Sequence, residues 1–371
     1  MKLLKSSINL IRSRLLSQPC FCHYYVTTKC DLKCKQCTVP QDLKRIDVNN
    51  RGDLNLDEIA LMAERLKRIG VSNILLSGGE PFAREDLADI VFLLVKQGFF
   101  VRISTNGGAL VTRDRLLELV DSGMDALQIS FDSMNPQLHD EISGKEGTWE
   151  CAKNNLECAA KNLKGCMAFA ITVCSSMNIN ELPDIAKYAT SIGAYSIFQP
   201  VHLSSDEDEV GVLGMGDHKE MRVQNEQNSQ VDQIYGELLR MKKQGYNILS
   251  SKQFLTDSVA YFKTRKRYWT CDAYRYYITV CPHGEVLACM RYEDCDWLGR
   301  MNILDDDFVE KFTSRKMRNK AEAYRKRCPG CVYSCYREMS YLMRSPSVFW
   351  ETSMCVGRKT MRDIVHKKAL R

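Results

Sequence analysis

The feature that most constrains the fold of this chain is a repeated alternation of short apolar runs with segments of helical spacing. Six runs rich in apolar, β-branched or aromatic residues occur at 24–28, 72–77, 99–105, 126–131, 168–173 and 195–201. Several helical segments run into a glycine just before the next strand, namely Gly70, Gly98, Gly123 and Gly193. Glycine adopts the left-handed backbone that ends a helix without steric penalty. Six such units predict an α/β fold with a parallel sheet, either doubly wound or barrel-like.

Two of the helical segments carry further detail. Residues 55–69 begin with Asn55 and, three residues later, Glu58, which is the pattern of a capping box. Apolar residues then recur at helical spacing, at Leu56, Ile59, Met62, Leu66 and Ile69. A second, longer helical segment is predicted over residues 218–244. We expect this second helix to close the parallel sheet.

Three cysteines lie on the loop that follows the first predicted strand. Cys30, Cys34 and Cys37 are separated by three and then by two residues. A tetrahedral structural zinc site needs four ligands, so zinc would require a remote fourth donor. Three thiolates are sufficient for three corners of a cubane iron–sulfur cluster, whose fourth iron stays open to a small molecule. The thiolate form is favoured by three nearby lysines, Lys29, Lys33 and Lys35.

The distribution of the 17 cysteines along the chain favours metal ligation over disulfide bonding. Three cysteines lie within eight residues, and eight more lie between Cys271 and Cys355. High disulfide density is typical of small secreted domains. This chain of 371 residues shows no export signal and no run of about 20 apolar residues that would span a membrane. We therefore expect a cytoplasmic protein whose clustered cysteines bind metal.

Polar residues follow the later strands at the point where each strand ends. After the second strand the chain continues with Ser77, Gly78, Gly79, Glu80 and Pro81. Glycines at a strand end permit close approach of a ligand, and a carboxylate accepts hydrogen bonds from an ammonium group. The third and fourth strands end with Ser104, Thr105, Asn106, Ser130 and Asp132. Together with the cysteine triplet, and in this order, these motifs resemble those of the radical S-adenosylmethionine (SAM) superfamily.

The resemblance implies a partial (β/α)6 TIM-type barrel with its site at the carboxyl ends of the strands. It implies a [4Fe-4S] cluster on the cysteine triplet, with SAM bound at the open iron. The matching positions of the superfamily contact SAM, which implies that role for Gly78, Gly79, Glu80, Ser104, Asn106, Ser130 and Asp132. Residues 199–201 are expected near adenine. Gln36 stands where relatives often carry an aromatic residue beside adenine, so this chain departs from the pattern there.

The resemblance also implies a reaction. A reduced cluster donates an electron to SAM, and the resulting 5′-deoxyadenosyl radical abstracts hydrogen from a substrate. The expected electron source is a low-potential donor such as flavodoxin or ferredoxin, and the expected class is an oxidoreductase or transferase. A non-catalytic iron–sulfur protein is the alternative. The Gly-Gly-Glu-Pro match argues against that alternative, because a redox carrier needs no clamp for an amino acid.

The second group of cysteines resembles the SPASM/twitch module of the same superfamily, which holds auxiliary iron–sulfur clusters. The similarity lies in Gly284 followed by Cys289, and then in a pair of cysteines two residues apart. It implies auxiliary [4Fe-4S] ligands at Cys271, Cys289, Cys328, Cys331 and Cys335. One auxiliary cluster is favoured over two, with Cys335 and Cys355 as the contested ligands. Zinc bound by the first four of these cysteines is the alternative.

These patterns divide the chain into five parts. They are a basic amphipathic helix (1–20), the core barrel (21–245), a bridge (246–270), the auxiliary cluster domain (271–357) and a basic tail (358–371). In the first part, helical register is shared by Leu4, Ile8, Ile11 and Leu15. Such a helix either packs under its own domain or makes peripheral contact with an anionic membrane.

The substrate is predicted only as a class. Peptide-modifying relatives often carry a separate peptide-recognition domain, and only about 20 residues precede the first strand. We therefore favour a small molecule, a sugar or a lipid, with maturation of a peptide or protein cofactor as the alternative. The formal net charge of +6 and the basic stretches at 315–327 and 358–371 are typical of a solvated surface. Nucleic acid is disfavoured as a partner.

Overall fold

A computed structural model describes residues 2–47, 49–202, 218–264, 269–287, 300–327 and 332–369, with the backbone alone for residues 2–8, 327 and 358–369. Three of the predicted metal ligands, Cys289, Cys328 and Cys331, lie outside the described residues. The other predicted site residues all lie within them.

The centre of the fold is a sheet of eight strands. They are β1 (Phe21–Tyr25), β2 (Asn73–Ser77), β3 (Phe100–Thr105), β4 (Ala126–Ser130), β5 (Met167–Cys174), β6 (Tyr195–Pro200), β7 (Tyr277–Val280) and β8 (Val286–Leu287). Their order is β6-β5-β4-β3-β2-β1-β7-β8. Every neighbouring pair is parallel except β7 and β8. The α/β class and the partial barrel with six β/α units are confirmed.

Helices connect the strands, and several of them cover the outer face of the sheet. The first eight are α1 (Lys2–Leu16), α2 (Val39–Ile46), α3 (Leu56–Arg68), α4 (Leu87–Lys96), α5 (Arg113–Asp121), α6 (Pro136–Ser143), α7 (Thr148–Asn162) and α8 (Leu182–Ile192). The later ones are α9 (Asn228–Gln244), α10 (Lys252–Thr264), α11 (Phe308–Thr313), α12 (Arg315–Arg327), α13 (Ser334–Arg344) and α14 (Pro346–Ala369).

Several boundaries can be compared with the sequence patterns. Both hydrogen bonds of the predicted capping box are present: the side chain of Asn55 accepts from the N–H of Glu58, and the side chain of Glu58 accepts from the N–H of Asn55. Helix α3 ends one residue before the predicted limit. The first strand begins three residues earlier than predicted, because Phe21 pairs with both β2 and β7. The helix predicted from residue 218 begins instead at Asn228. The preceding residues form two short 3-10 turns, since the backbone is extended at Arg222 and Gln224.

Side chains alternate between the two faces of the sheet, as strand geometry requires. On the outer face, Val101, Ile103 and their equivalents pack under the helices in the main core. On the inner face, Phe21, Tyr25 and Leu75 pack in a second core with residues of α13. Helix α13 therefore lies against the inside of the barrel. Its N-terminal Ser334 donates its backbone N–H to the side chain of Gln199 at the end of β6.

The C-terminal part of the chain shares the sheet with the barrel. Strand β7 adds to the free side of β1 in parallel register, from Phe21 opposite Tyr277 onward. The segment predicted as a bridge contains α10, and α14 continues through residues 358–369 of the predicted basic tail. The division of the chain into separate domains remains a prediction.

Helix α1 is only partly covered by the rest of the chain. Ser13 is buried, whereas Ile11, Leu15 and Leu16 are 51%, 79% and 55% exposed. None of the described helices combines the length and the apolar character that crossing a bilayer requires. Packing under its own domain and peripheral contact with a membrane both remain alternatives for α1.

Candidate functional site

The cysteine loop and the Gly-Gly-Glu turn are joined directly through their backbones. The N–H of Gly79 donates to the carbonyl of Thr27 at 2.8 Å, and the N–H of Glu80 donates to that of Lys29 at 2.7 Å. These bonds continue the β1–β2 pairing past the end of the strands and up to Cys30. The loop that carries the thiols therefore begins on top of the turn that carries Glu80.

This contact explains both glycines of the turn. A Cβ on Gly78, where φ is +148°, would lie 2.6 Å from the carbonyl oxygen of Thr27. A Cβ on Gly79 would lie 2.0 Å from the carbonyl oxygen of Lys29. The sequence pattern predicts that these glycines leave room for a ligand. In the structure they also make room for the backbone that leads into the cysteine loop.

Glu80 is completely buried and is held at both carboxylate oxygens. One oxygen accepts from the Thr105 hydroxyl at 2.6 Å and from the N–H of Phe82 at 3.0 Å. The other oxygen accepts from the N–H of Asn106 at 2.8 Å. Burial raises the pKa of Glu80 to about 7, although these three bonds oppose the rise. A carboxylate has about four acceptor positions, so one is left for a further donor such as an ammonium group.

Asn106 links the Glu80 turn to the cysteine loop. Its side-chain N–H donates to the carboxylate of Asp31 at 2.9 Å, and its side-chain oxygen accepts from the N–H of Gly108 at 2.7 Å. Asp31, which follows Cys30 directly, also pairs with Lys145 at 3.1 Å. The predicted SAM contact Asn106 thus fixes the position of the loop as well.

The other side of the cysteine loop rests on α6. The N–H of Lys35 donates to the carbonyl of Ile142 at 2.9 Å. Gly144 ends this helix with φ of +72°, and a Cβ there would lie 2.5 Å from the carbonyl oxygen of Lys33. The loop is therefore supported by β2 on one side and by the C-terminus of α6 on the other.

The three thiols lie close enough to influence one another. Burial raises the pKa of Cys34 well above its ordinary range, and the charges of Cys37, Asp132 and Cys30 raise it further. Iron cations would offset this repulsion, so the donor set fits a cluster. Within the described residues, no three His, Cys, Asp or Glu side chains converge as a single metal ion requires. In a cubane cluster each thiolate binds its own iron.

Gln36 contacts a predicted SAM residue. Its side-chain amide donates to one oxygen of Asp132 at 3.5 Å, and the N–H of Val173 donates to the other at 2.7 Å. Asp132 is 4% exposed, and burial raises its pKa to about 7. The residue that departs from the superfamily pattern therefore joins the cysteine loop to the end of β4. Sequence analysis missed this contact because the two residues are 96 positions apart.

The remaining predicted SAM residues end neighbouring strands. Ser104 lies near the end of β3 and Ser130 at the end of β4, both half-buried and on the inner face of the sheet. Gln199 is already engaged, since its amide donates to the carbonyl of Val332 at 2.8 Å. The structure thus gathers the predicted residues of β2, β3 and β4 at one edge of the sheet. Their contacts with SAM remain predictions.

Tyr25 lies between the two groups of cysteines, near Cys281 and Cys335 of the second group and Cys37 of the first. Burial raises the pKa of this tyrosine well above its ordinary range, and the charges of Cys335, Cys281 and Cys37 contribute to the rise. Cys271 lies at the start of the same segment, where its sulfur accepts from the N–H of Ala273 at 3.3 Å. Cys281 and Cys335 therefore lie near Tyr25 on the inner side of β1.

Cys355 lies in a different environment from Cys335. Its thiol donates to the carbonyl of Ile248 at 3.5 Å, and it packs with Ala126, Phe169 and Tyr195. This small core joins α14 to β4, β5 and β6. The contacts of Cys355 are those of a packing residue, whereas Cys335 packs in the inner core of the barrel.

Comparison with known proteins gives a family match. The model of the radical SAM superfamily matches residues 24–189, which include the cysteine triplet and the Gly-Gly-Glu turn. The PqqA peptide cyclase of Bradyrhizobium diazoefficiens is 31% identical over 170 residues, which are 46% of this chain and 43% of the relative. The probable GTP 3′,8-cyclase of Methanocaldococcus jannaschii is 28% identical over 176 residues, which are 46% and 54%. The chain spans about half the length of these curated relatives.

Solved structures with the same fold cover more of the chain. Native anSMEcpe with bound AdoMet has a TM-score of 0.61 at 16% identity, over 92% of this chain and 100% of that one. SuiB of Streptococcus suis, bound to the precursor peptide SuiA, has a TM-score of 0.60 at 15% identity, over 92% and 76%. At this level of identity the likeness is one of fold.

Proposed function

Because residues 24–189 match the model of the radical SAM superfamily, we propose that this chain is an enzyme of that superfamily and uses SAM to modify a peptide or protein substrate. The [4Fe-4S] cluster would be held by Cys30, Cys34 and Cys37. The amino group of SAM would be held at the Glu80 turn, and the ends of β3 and β4 would provide further contacts.

One observation carries the proposal. The backbone bonds from Gly79 and Glu80 to residues 27–29 place the cysteine loop directly over the buried carboxylate. A ligand that binds both an open iron and this carboxylate needs a hydrogen-bond donor, such as an ammonium group, beside the atoms that bind the metal. The amino-acid end of SAM has this chemistry.

The bound cluster and SAM would supply a 5′-deoxyadenosyl radical that abstracts hydrogen from the substrate. The chain's own residues would orient SAM and keep water away. Glu80 accepts from the ammonium group with its remaining acceptor position. Asn106 holds Asp31, and through it the cysteine loop, at a fixed distance from Glu80. Gln36 holds the far side of the loop to Asp132.

The comparisons favour a peptide substrate over the small molecule, sugar or lipid that we had preferred. A peptide cyclase is among the curated relatives, and SuiB is described with its precursor peptide. The preference for a small substrate rests only on the roughly 20 residues that precede the first strand. A peptide can instead be delivered to the barrel by a partner protein.

We also propose an auxiliary [4Fe-4S] cluster in the C-terminal part of the chain. Cys335 would be one of its four ligands, the other three would come from Cys271, Cys289, Cys328 and Cys331, and Cys355 would be a packing residue. Iron analysis of the reconstituted protein distinguishes the alternatives. About four irons per chain indicate no auxiliary cluster, about eight indicate one and about twelve indicate two.

The central experiment is anaerobic reconstitution followed by assay of SAM cleavage with dithionite. We expect the wild type to release 5′-deoxyadenosine and Cys34→Ala to release none. Cys151→Ala is the matched control, because Cys151 is a half-buried free cysteine of α7 outside the site. Cleavage by Cys34→Ala at the wild-type rate would refute the proposal. Replacing dithionite with reduced flavodoxin or ferredoxin tests the electron donor.

A further inference from the structure

A groove of about 530 Å³ lies where the C-terminal end of α9 and the start of α10 meet α14. Two apolar side chains on its α14 side are open to solvent: Trp350 is 67% exposed and Met354 is 43% exposed. They are four residues apart and therefore lie on the same face of the helix. Exposed apolar residues bordered by charged ones are typical of interaction sites, and tryptophan is among the strongest contributors to binding in protein interfaces.

Three lysines and one glutamate line the groove, which gives it an excess of two positive charges. Lys242 is 4% exposed, and its ammonium group contacts the carboxylate of Glu351 at 3.1 Å and the carbonyl of Ile248 at 2.6 Å. Glu351 also accepts from the backbone N–H of Lys252 at 3.0 Å. The side chains of Lys243 and Lys252 are exposed and have no carboxylate partner among the described residues. The groove therefore offers two free cations beside its exposed apolar side chains.

Helix α14 is held firmly beneath these side chains. Val348 and Cys355 are each 4% exposed, and Cys355 packs in the small core that joins α14 to β4, β5 and β6. The pair of Glu351 and Lys242 joins the same helix to α9. Trp350 is thus displayed by a packed helix, and binding at this surface requires little further ordering of the chain.

The other side of α14 faces the interior of the barrel. Thr352 contributes to the wall of a pocket of about 200 Å³ between the sheet and α13, and Cys335 contributes to the same wall. Thr352 is two residues from Trp350, which places the two side chains about 200° apart around the helix. One helix and one small pocket therefore separate the exposed tryptophan from Cys335, a proposed ligand of the auxiliary cluster.

We infer that Trp350, Met354, Lys243 and Lys252 form the docking surface of the electron donor, a redox protein with an acidic face. Opposite charges favour this partner and speed its encounter. A patch of this kind suits a transient electron-transfer complex, which buries less than about 1,200 Å². The donor loses one electron and the iron–sulfur centre of the chain gains it, with no bond made or broken and no proton moved. That the partner is a reductant rests on the proposed function, whereas its acidic character rests on the surface alone.

The first measurement is binding, which does not require SAM cleavage. A flavodoxin and a ferredoxin of net negative charge are labelled and titrated with the full chain, and fluorescence anisotropy gives the affinity. We expect saturable binding, which Trp350→Ala weakens about tenfold because an interface anchor is removed. Lys252→Glu should weaken binding about fivefold at low salt and make it less dependent on ionic strength.

Phe92 and Lys96 of α4 provide the matched control. Phe92 is 56% exposed, and the ammonium group of Lys96 lies 5.9 Å from its ring, so the same kind of side-chain pair occurs away from the groove. Phe92→Ala and Lys96→Glu should bind the donor as the wild type does. Equal losses of affinity in the control and groove variants would show a general effect of composition and overturn the inference.

The second measurement is SAM cleavage with two reductants. In Trp350→Ala the KM for the reduced donor protein should rise about tenfold, in step with its weaker binding. The rate with dithionite should equal that of the wild type, because a small reductant needs no docking surface. An equal fall of both rates would overturn the inference.

The binding data also decide between occupants. Unchanged donor binding in both groove variants, or no saturable binding of either donor to the wild type, would overturn the inference. So would self-association or binding of anionic vesicles that both variants abolish, since either result assigns the surface to another occupant. A wild type that binds the donor at this surface but cleaves no SAM with dithionite would refute the proposed function and leave the docking surface standing.

Discussion

Replacing Gly79 with alanine tests the contact on which the site is built. The new Cβ would lie 2.0 Å from the carbonyl oxygen of Lys29, and real Cβ atoms do not approach other atoms within 3.0 Å. The carbonyl must therefore retreat by about 1.0 Å. That movement stretches the 2.7 Å bond from the N–H of Glu80 to about 3.7 Å, beyond hydrogen-bonding distance.

The loss in the free energy of unfolding can be estimated from these changes. The lost bond and the weakened Gly79–Thr27 bond contribute about 1 kcal/mol each. Overpacking adds about 1–3 kcal/mol. We expect the free energy of unfolding to fall by about 3–5 kcal/mol, a large share of the roughly 5–15 kcal/mol of a typical domain. The cysteine loop moves with the carbonyl of Lys29, so retention of the first cluster should fall as well.

Urea denaturation of the apoprotein and iron analysis after reconstitution measure the two effects. Gly236→Ala is the matched control, since the nearest atom to its Cβ is 3.9 Å away and it lies within α9. That variant should gain up to about 1 kcal/mol, because alanine is the better helix former. A Gly79→Ala protein with the wild-type urea midpoint and full iron content would refute the reasoning.

Four further predictions concern the surroundings of the site. Burial raises the pKa of Glu80 from 4.5 to about 7, so the wild type loses stability as the pH rises through that window. Glu80→Gln does not titrate in this window, so its free energy of unfolding should rise relative to that of the wild type by on the order of 3 kcal/mol between pH 4.5 and 7. Urea denaturation at a series of pH values measures this difference. Gly144→Ala and Gly165→Ala both strain a left-handed backbone, but only the first meets the cysteine loop. Iron analysis should therefore show a loss in Gly144→Ala alone. Cys335→Ser should lower the iron content by about four per chain, whereas Cys355→Ser should lower only the thermal unfolding midpoint. If α1 makes peripheral contact with a membrane, the full chain should sediment with anionic vesicles and a chain without residues 2–16 should not, and unchanged sedimentation would exclude α1 as the contact.

Local patterns were sufficient for much of the fold. The strand-and-helix alternation predicted six parallel units because buried strands and amphipathic helices differ in the period of their apolar residues. The capping box located the start of α3 for the same local reason. The start of α9 was wrong, since apolar spacing alone does not show that the backbone turns extended at Arg222.

Long-range contacts were not predictable from these patterns. The sequence pattern places the glycines of the turn beside a ligand. No feature of the neighbouring sequence indicates that Gly79 contacts the backbone of Lys29 on the adjacent strand connection. The contact between Gln36 and Asp132 likewise depends on how the loop folds over β4. The placement of α13 inside the barrel depends on the gap that an open sheet leaves. Such contacts require the tertiary structure.

The position of β7 beside β1 has a consequence for synthesis of the chain. Phe21 finds its partner Tyr277 only after about 250 further residues have been added, which takes roughly 10 to 50 seconds at usual translation rates. During that time one edge of β1 offers unpaired backbone groups to any other nascent strand. We therefore expect folding of this protein in the cell to depend on chaperones that shield the growing barrel until the last strands leave the ribosome.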